Sequence, residues 1–199
     1  LFFGLVLAMV ALRRPNHFTY AAPWIEDGSI VLGQTLSLGW SSIILPLQGY
    51  LIIPARFVSL LAVWISFEHY AIVSILIACV VNAAVITAVA FAPTSLPHRT
   101  LCALGLACLP IDPEVYATPL YTFWWASIPL FLALLWKNDA VQWPRMLLAA
   151  IAGVSSPLVV LLSPLFLLRA ALDRTIGNAV VAVVVVAFAI IQFVHLNDG

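Results

Sequence analysis

Charge is what this sequence has least of. Only 8% of its 199 residues are Asp, Glu, Lys or Arg, against roughly a quarter in an ordinary soluble domain. That scarcity excludes a domain that keeps itself in water with a solvated, charged surface. Basic and acidic residues number eight each, so there is no basic stripe, and nucleic acid is excluded as a partner. Cysteine is scarce as well. Cys79, Cys102 and Cys108 stand inside apolar runs without CxxC spacing, which argues against zinc and structural disulfides and for small buried hydrophobes. The chain also lacks a P-loop, a GxSxG elbow and a metalloprotease helix. What it has instead is apolar surface: 64% of residues are hydrophobic, and the mean hydropathy is +1.14.

The apolar runs cover 1–12, 45–66, 70–92, 99–110, 120–136, a broken run 145–168, and 178–196. Backbone groups in lipid must be satisfied within their own segment, so each run is predicted helical. The fold class expected is all-α, a multi-pass transmembrane bundle forming one domain. The first run opens on Leu1, and its positive charges, Arg13 and Arg14, follow it instead of preceding it. This is the wrong order for a signal peptide. It reads as the second half of a first transmembrane helix, in a piece of a longer chain.

Two runs have alternatives. The run 45–66, bearing Pro46 and Pro54, can cross the membrane or lie along its surface. The run 145–168, interrupted at Ser155-Ser156-Pro157, can be one kinked span or a helical hairpin beginning near 141. Charge separates the options. With 45–66 on the surface, 141–168 a hairpin and the first helix directed outward, Arg99, Lys137, Arg145, Arg169 and Arg174 fall on the cytoplasmic side. Glu26, Asp27, Glu68, Asp112 and Glu114 then fall outside, the positive-inside arrangement. If 45–66 crosses, the five basic residues move outside. The predicted order is therefore a helix at 1–12, an outer loop at 13–69 with an interfacial helix at 45–66, spans at 70–92, 99–110 and 120–136, a short hairpin at 141–168, and a last span at 178–196.

Chemistry is concentrated in the long outer loop, at Trp24-Ile25-Glu26-Asp27-Gly28. Two carboxylates near a membrane surface can act as general base or as ligands of a hard divalent cation, Mg or Mn. Being adjacent, Glu26 and Asp27 point to opposite sides of an extended segment. Gly28 permits a sharp turn that presents them, although Asp-Gly is equally the chemistry of an exposed, solvated turn. Trp24 can stack on a sugar or lipid face, or anchor the loop at the interface. Arg56, after Gln48 and Tyr50, can pair with a phosphate or snorkel toward headgroups. Arg13 and Arg14 have the same two readings, with anchoring favoured. Glu114, with Asp112 in the second outer loop, can contact substrate or simply be solvated. His17 reads as a loop histidine.

The order of these features resembles the GT-C class of membrane glycosyltransferases, which use polyprenyl-phosphate-linked sugars. The resemblance rests on Trp24-Ile25-Glu26-Asp27-Gly28, on Pro46, Gly49-Tyr50 and Pro54-Ala55-Arg56 downstream, and on the hairpin from Ala149-Ala150-Ile151 through Ser155-Ser156-Pro157 to Arg169. It implies transfer of a sugar from the lipid-phosphate donor to an acceptor hydroxyl on a saccharide, lipid or protein, at the outer face of a bacterial inner membrane. It also implies that Asp27 or Glu26 is the catalytic or metal-positioning acid, with Asp27 preferred. Trp24, Tyr50, Arg56 and Glu114 would bind substrate. A transporter or flippase of lipid-linked saccharide, and a non-catalytic assembly subunit, are the competing readings.

Overall fold

The computed structural model describes residues 1–110 and 115–197. It is all-helical, with no β-strand among the described residues. The helices are α1 (Phe2–Leu12), α2 (Asn16–Thr19), α3 (Gly33–Leu38), α4 (Ile53–Ile65), α5 (Tyr70–Phe91), α6 (Arg99–Cys108), α7 (Thr122–Trp125), α8 (Ile128–Leu134), α9 (Trp143–Gly153), α10 (Leu158–Asp173) and α11 (Ile176–Asn197). A π-helical stretch, Asp27–Leu32, leads into α3, and a 3₁₀ stretch, Gly39–Ile44, follows it.

Two helices, Tyr70–Phe91 and Ile176–Leu196, are long and apolar enough to cross a membrane. At about 1.5 Å per residue, the shorter α1 and α6 do not reach across a ~30 Å hydrocarbon core by themselves. The run 120–136 divides into α7 and α8, with Pro129 in the first turn of α8, where a missing N–H costs nothing. The helix within 45–66 begins only at Ile53, with Pro54 in its first turn. The run 145–168 is two helices, α9 and α10, parted at Val154–Pro157. Of the three thiols, Cys79 is buried, whereas Cys102 and Cys108 are exposed; the expected burial fails for these two because α6 turns only Ala103 and Ala107 inward.

The chain divides into two compact units. The first comprises residues 1–45, 53–91 and 98–125. Its centre is α5, against which α1, α4, α6 and α7 pack. Phe2 of α1 meets Phe91 of α5 edge-on, with ring centroids 5.5 Å apart. Arg13, just past α1, is exposed but tied down by hydrogen bonds. It donates to the carbonyls of Ala107 and Leu109 at 2.8 Å and to the Tyr116 hydroxyl at 2.6 Å, while stacking over the Tyr116 ring. The last carbonyls of α6 have no partners within their helix, and a cation there also meets the negative end of the helix dipole.

α4 buries Arg56 and Ser59 together with Ala55, Val58, Leu60 and Ala62, and exposes Phe57, Trp64 and Ile65. Trp64 and Phe57 border an apolar groove with Trp40, Leu60 and Leu61.

The second unit comprises residues 46–52, 92–97 and 126–199. Its core joins Leu130 and Ala133 of α8, Ala149 and Ala152 of α9, Val159 and Phe166 of α10, and Val181 and Val185 of α11. Small residues let these helices approach closely. A Cβ on Gly153 would fall 2.8 Å from the Phe188 ring. α10 ends with Arg174 in the left-handed conformation, its N–H donating to Ala170, a standard way to stop a helix. Residues 47–50 form a tight turn with Gln48 and Gly49 at positive φ, the two-residue geometry that favours glycine. Gln192, wholly buried on α11, accepts from the Leu51 N–H at 2.9 Å and donates to the Leu51 and Gly153 carbonyls. A side chain thus supplies the backbone pairing that this segment lacks.

Candidate functional site

The acidic pair is not at an extended turn. Residues 24–32 are wound into helix, with the Gly28 N–H donating to the Trp24 carbonyl at 2.8 Å. Neither Gly28 nor any neighbour in that stretch has positive φ. Its glycine has a steric reason: a Cβ there would lie 3.2 Å from the Pro23 ring. The helical winding, not strand alternation, parts the two acids. Asp27 points inward and is 0% exposed, whereas Glu26 is half-buried.

Asp27 lies on one face with Val31 and Thr35, and all three are buried, as spacing of four residues along a helix dictates. That face packs on α4. The Asp27 carboxyl is pushed up to about 7, first by burial and further by the Glu26 charge beside it. The Leu120 backbone N–H acts in the other direction, but neither carboxyl oxygen has a well-formed hydrogen bond among the described residues. A buried ionised carboxylate without side-chain partners is costly, so burial favours the protonated form of this group well above the ordinary carboxylate range.

Around it sits a set of hydroxyls. Tyr70 at the start of α5 is within electrostatic range of Asp27. Its hydroxyl is 3.0 Å from Ser59 Oγ, which is 3.2 Å from Thr35 Oγ1. Thr35 in turn donates to the Val31 carbonyl at 2.8 Å. Tyr70, Ser59 and Thr35 were not legible as site residues. Their one local signal is that Ser59 follows Arg56 by three positions, on the same face of α4.

The remaining candidates scatter. Trp24 borders a small crevice of about 30 Å³ with His17, Ser74 and Thr118. Burial lowers the pKa of His17, and the nearby Arg14 charge lowers it further. Arg56 is 0% exposed on α4, and burial lowers its pKa; it is neither snorkelling nor presented at a surface. Tyr50 belongs to the second unit. Glu114, like Asp112, lies outside the described residues.

A divalent cation does not fit the described residues. No group of three His, Cys, Asp or Glu side chains converges among them. Both Asp27 oxygens are enclosed without polar neighbours in bonding position, whereas Mg²⁺ demands near-octahedral oxygen ligation. Comparison with protein-family models, curated proteins and solved structures finds no match to this chain.

Proposed function

We propose that this chain is part of a membrane glycosyltransferase of the GT-C kind, moving a sugar from a polyprenyl-phosphate donor to an acceptor hydroxyl at the extracytoplasmic face. The observation that carries the reading is the difference within the acidic pair: one carboxyl is sealed in and titrates near neutrality, and its neighbour is half-buried, with Oε2 enclosed and unpaired among the described residues. In this proposal Glu26 is the base. It takes the proton of the acceptor hydroxyl as that oxygen attacks the anomeric carbon. The bond from that carbon to the donor phosphate breaks, and lipid phosphate leaves with the electron pair. Asp27 positions Glu26 from beneath, and Trp24 offers a ring face beside the crevice to stack against a sugar. Arg56 supplies a fixed positive charge behind the site. The aromatic side chains that α4 leaves exposed, Trp64 and Phe57, support a helix lying in the outer leaflet, within a multi-pass arrangement that includes α5 and α11.

The test is sugar transfer from a polyprenyl-phosphate donor in membranes carrying the full-length protein. Loss of general-base assistance lowers a rate by about 10²–10⁴-fold, and Glu26→Gln is expected to fall in that range. Full activity in both Glu26→Gln and Asp27→Asn would end the proposal. A second reading, a transporter or flippase of lipid-linked saccharide, is favoured by one observation, a buried carboxyl able to change protonation near neutrality. Donor-dependent movement of saccharide without a new glycosidic bond would select it.

A further inference from the structure

The hydroxyl chain beside Asp27 has a direction. A hydroxyl carries one proton and two lone pairs. The Thr35 proton is committed to the Val31 carbonyl, so in the Thr35–Ser59 contact Ser59 must donate. The Ser59 proton is thereby used, and in the Ser59–Tyr70 contact Tyr70 must donate. The Tyr70 oxygen is left with acceptor capacity only, and it stands within electrostatic range of Asp27. An ionised carboxylate is also acceptor-only, whereas a carboxylic acid has a proton to give. Every proton in this hydroxyl chain is thus committed elsewhere, and none of the three side chains donates to either Asp27 oxygen.

We propose that Asp27 is a proton-operated latch: as the neutral acid it seats the 24–32 segment against α4 and α5, and loss of the proton releases that segment. The titration falls in the working range because burial has moved the group to about 7. The groups around it pull both ways, with the Leu120 backbone N–H favouring the ionised form. Glu26, on its own segment, opposes ionisation. Arg56 is the charged residue of the buried face of α4, Tyr70 comes from α5, and α3 contributes only the uncharged Thr35. Once Asp27 ionises, a segment whose two oxygens have no side-chain donor inside gains by turning them to water. The latch stands on these contacts alone and holds whether or not the chain transfers sugar.

Hydrogen exchange of the full chain in nanodiscs of phosphatidylethanolamine and phosphatidylglycerol, corrected for intrinsic pH dependence, tests it. Between about pH 5.5 and about pH 8.5 the amides of 27–32 are expected to lose at least about tenfold in protection, the factor that one pKa unit of coupling implies. Asp27→Asn, uncharged throughout, is expected to remain flat. A flat wild type, or a variant as pH-dependent as the wild type, overturns the latch. Should Asp27→Asn fail to fold, infrared difference spectra of the wild type decide. A protonated-carboxyl stretch present at the lower pH, lost at the higher, and displaced in Tyr70→Phe supports the proposal. Its absence, or its indifference to Tyr70→Phe, overturns it.

Discussion

Arg145 in the second unit and Asp27 in the first are both charged side chains sealed from solvent, at 1% and 0% exposure. Arg145 donates from Nε to the Ala133 carbonyl at 2.7 Å, and from Nη1 to Asn178 Oδ1 and Gln142 Oε1. Nearby, Arg169 bonds the carbonyls of Leu134 and Trp136 and pairs with Asp173 at 3.2 Å. Two guanidiniums thus close the C-terminal end of α8, where orphan carbonyls and the helix dipole both call for cations. Asp27 has no comparable partners. Burial alone therefore does not mark function. A buried ion held by several side chains and carbonyls is a structural joint, and one left without side-chain partners can change state.

The comparison is broken or upheld most strongly by pH. The Asp27 carboxyl titrates at 3.8 ordinarily and at about 7 in the fold. Between those values the folded chain keeps a proton that the unfolded chain gives up, so stability falls as pH rises. The contribution is fully present below 3.8, is lost progressively, and is gone above about 7. A shift of this size corresponds to something on the order of 4 kcal/mol. Thermal unfolding in detergent across that range should show the slope in the wild type and lose it in Asp27→Asn. The Asn variant should be the more stable of the two on the alkaline side.

Arg145 should behave in the opposite way. Arg145→Leu keeps the volume but strands the Ala133 carbonyl and two amide oxygens, and an unsatisfied buried group costs about 1–3 kcal/mol. A loss of about 3 kcal/mol is expected, equal at acid and alkaline pH when followed by the same unfolding measurement. Arg145→Lys retains the charge without the planar fork and should recover only part of it. A pH-dependent loss would erase the distinction between the two buried ions.

The helical character and the two longest helices were legible because hydropathy alone carries them. The run 70–92 is α5 and 178–196 lies within α11. Boundaries inside apolar runs were not legible. Hydropathy is blind to the break between α7 and α8, and the turn at 47–50 depends on a distant glutamine, Gln192. The acid pair could be found by its polarity in an apolar chain, but not the division between its members, which follows from helical winding where an extended segment was expected. Tyr70 read as the edge of an apolar run. Its role depends on the contact with Ser59 and on the nearness of Asp27's charge, both products of tertiary packing. Glu114 falls outside the described residues.

The smallest expected effect tests how tightly the Asp27 segment is seated. Gly33 has ordinary helical dihedrals, and a Cβ there meets nothing within 4 Å. Gly33→Ala should therefore gain up to about 1 kcal/mol from helix propensity. Gly28 stands in the same helical stretch, but its Cβ would press on Pro23 at 3.2 Å. Overpacking of this kind costs about 1–3 kcal/mol, so the same propensity gain is offset, and Gly28→Ala should be neutral or lose about 1 kcal/mol in thermal unfolding. The contact with Pro23 is made within the segment and exists only while that segment keeps its helical winding. The deficit of Gly28→Ala relative to Gly33→Ala should therefore shrink above about pH 7, where ionised Asp27 no longer holds the segment in place. A deficit that stays constant with pH would mean that the segment remains seated whatever the charge on Asp27.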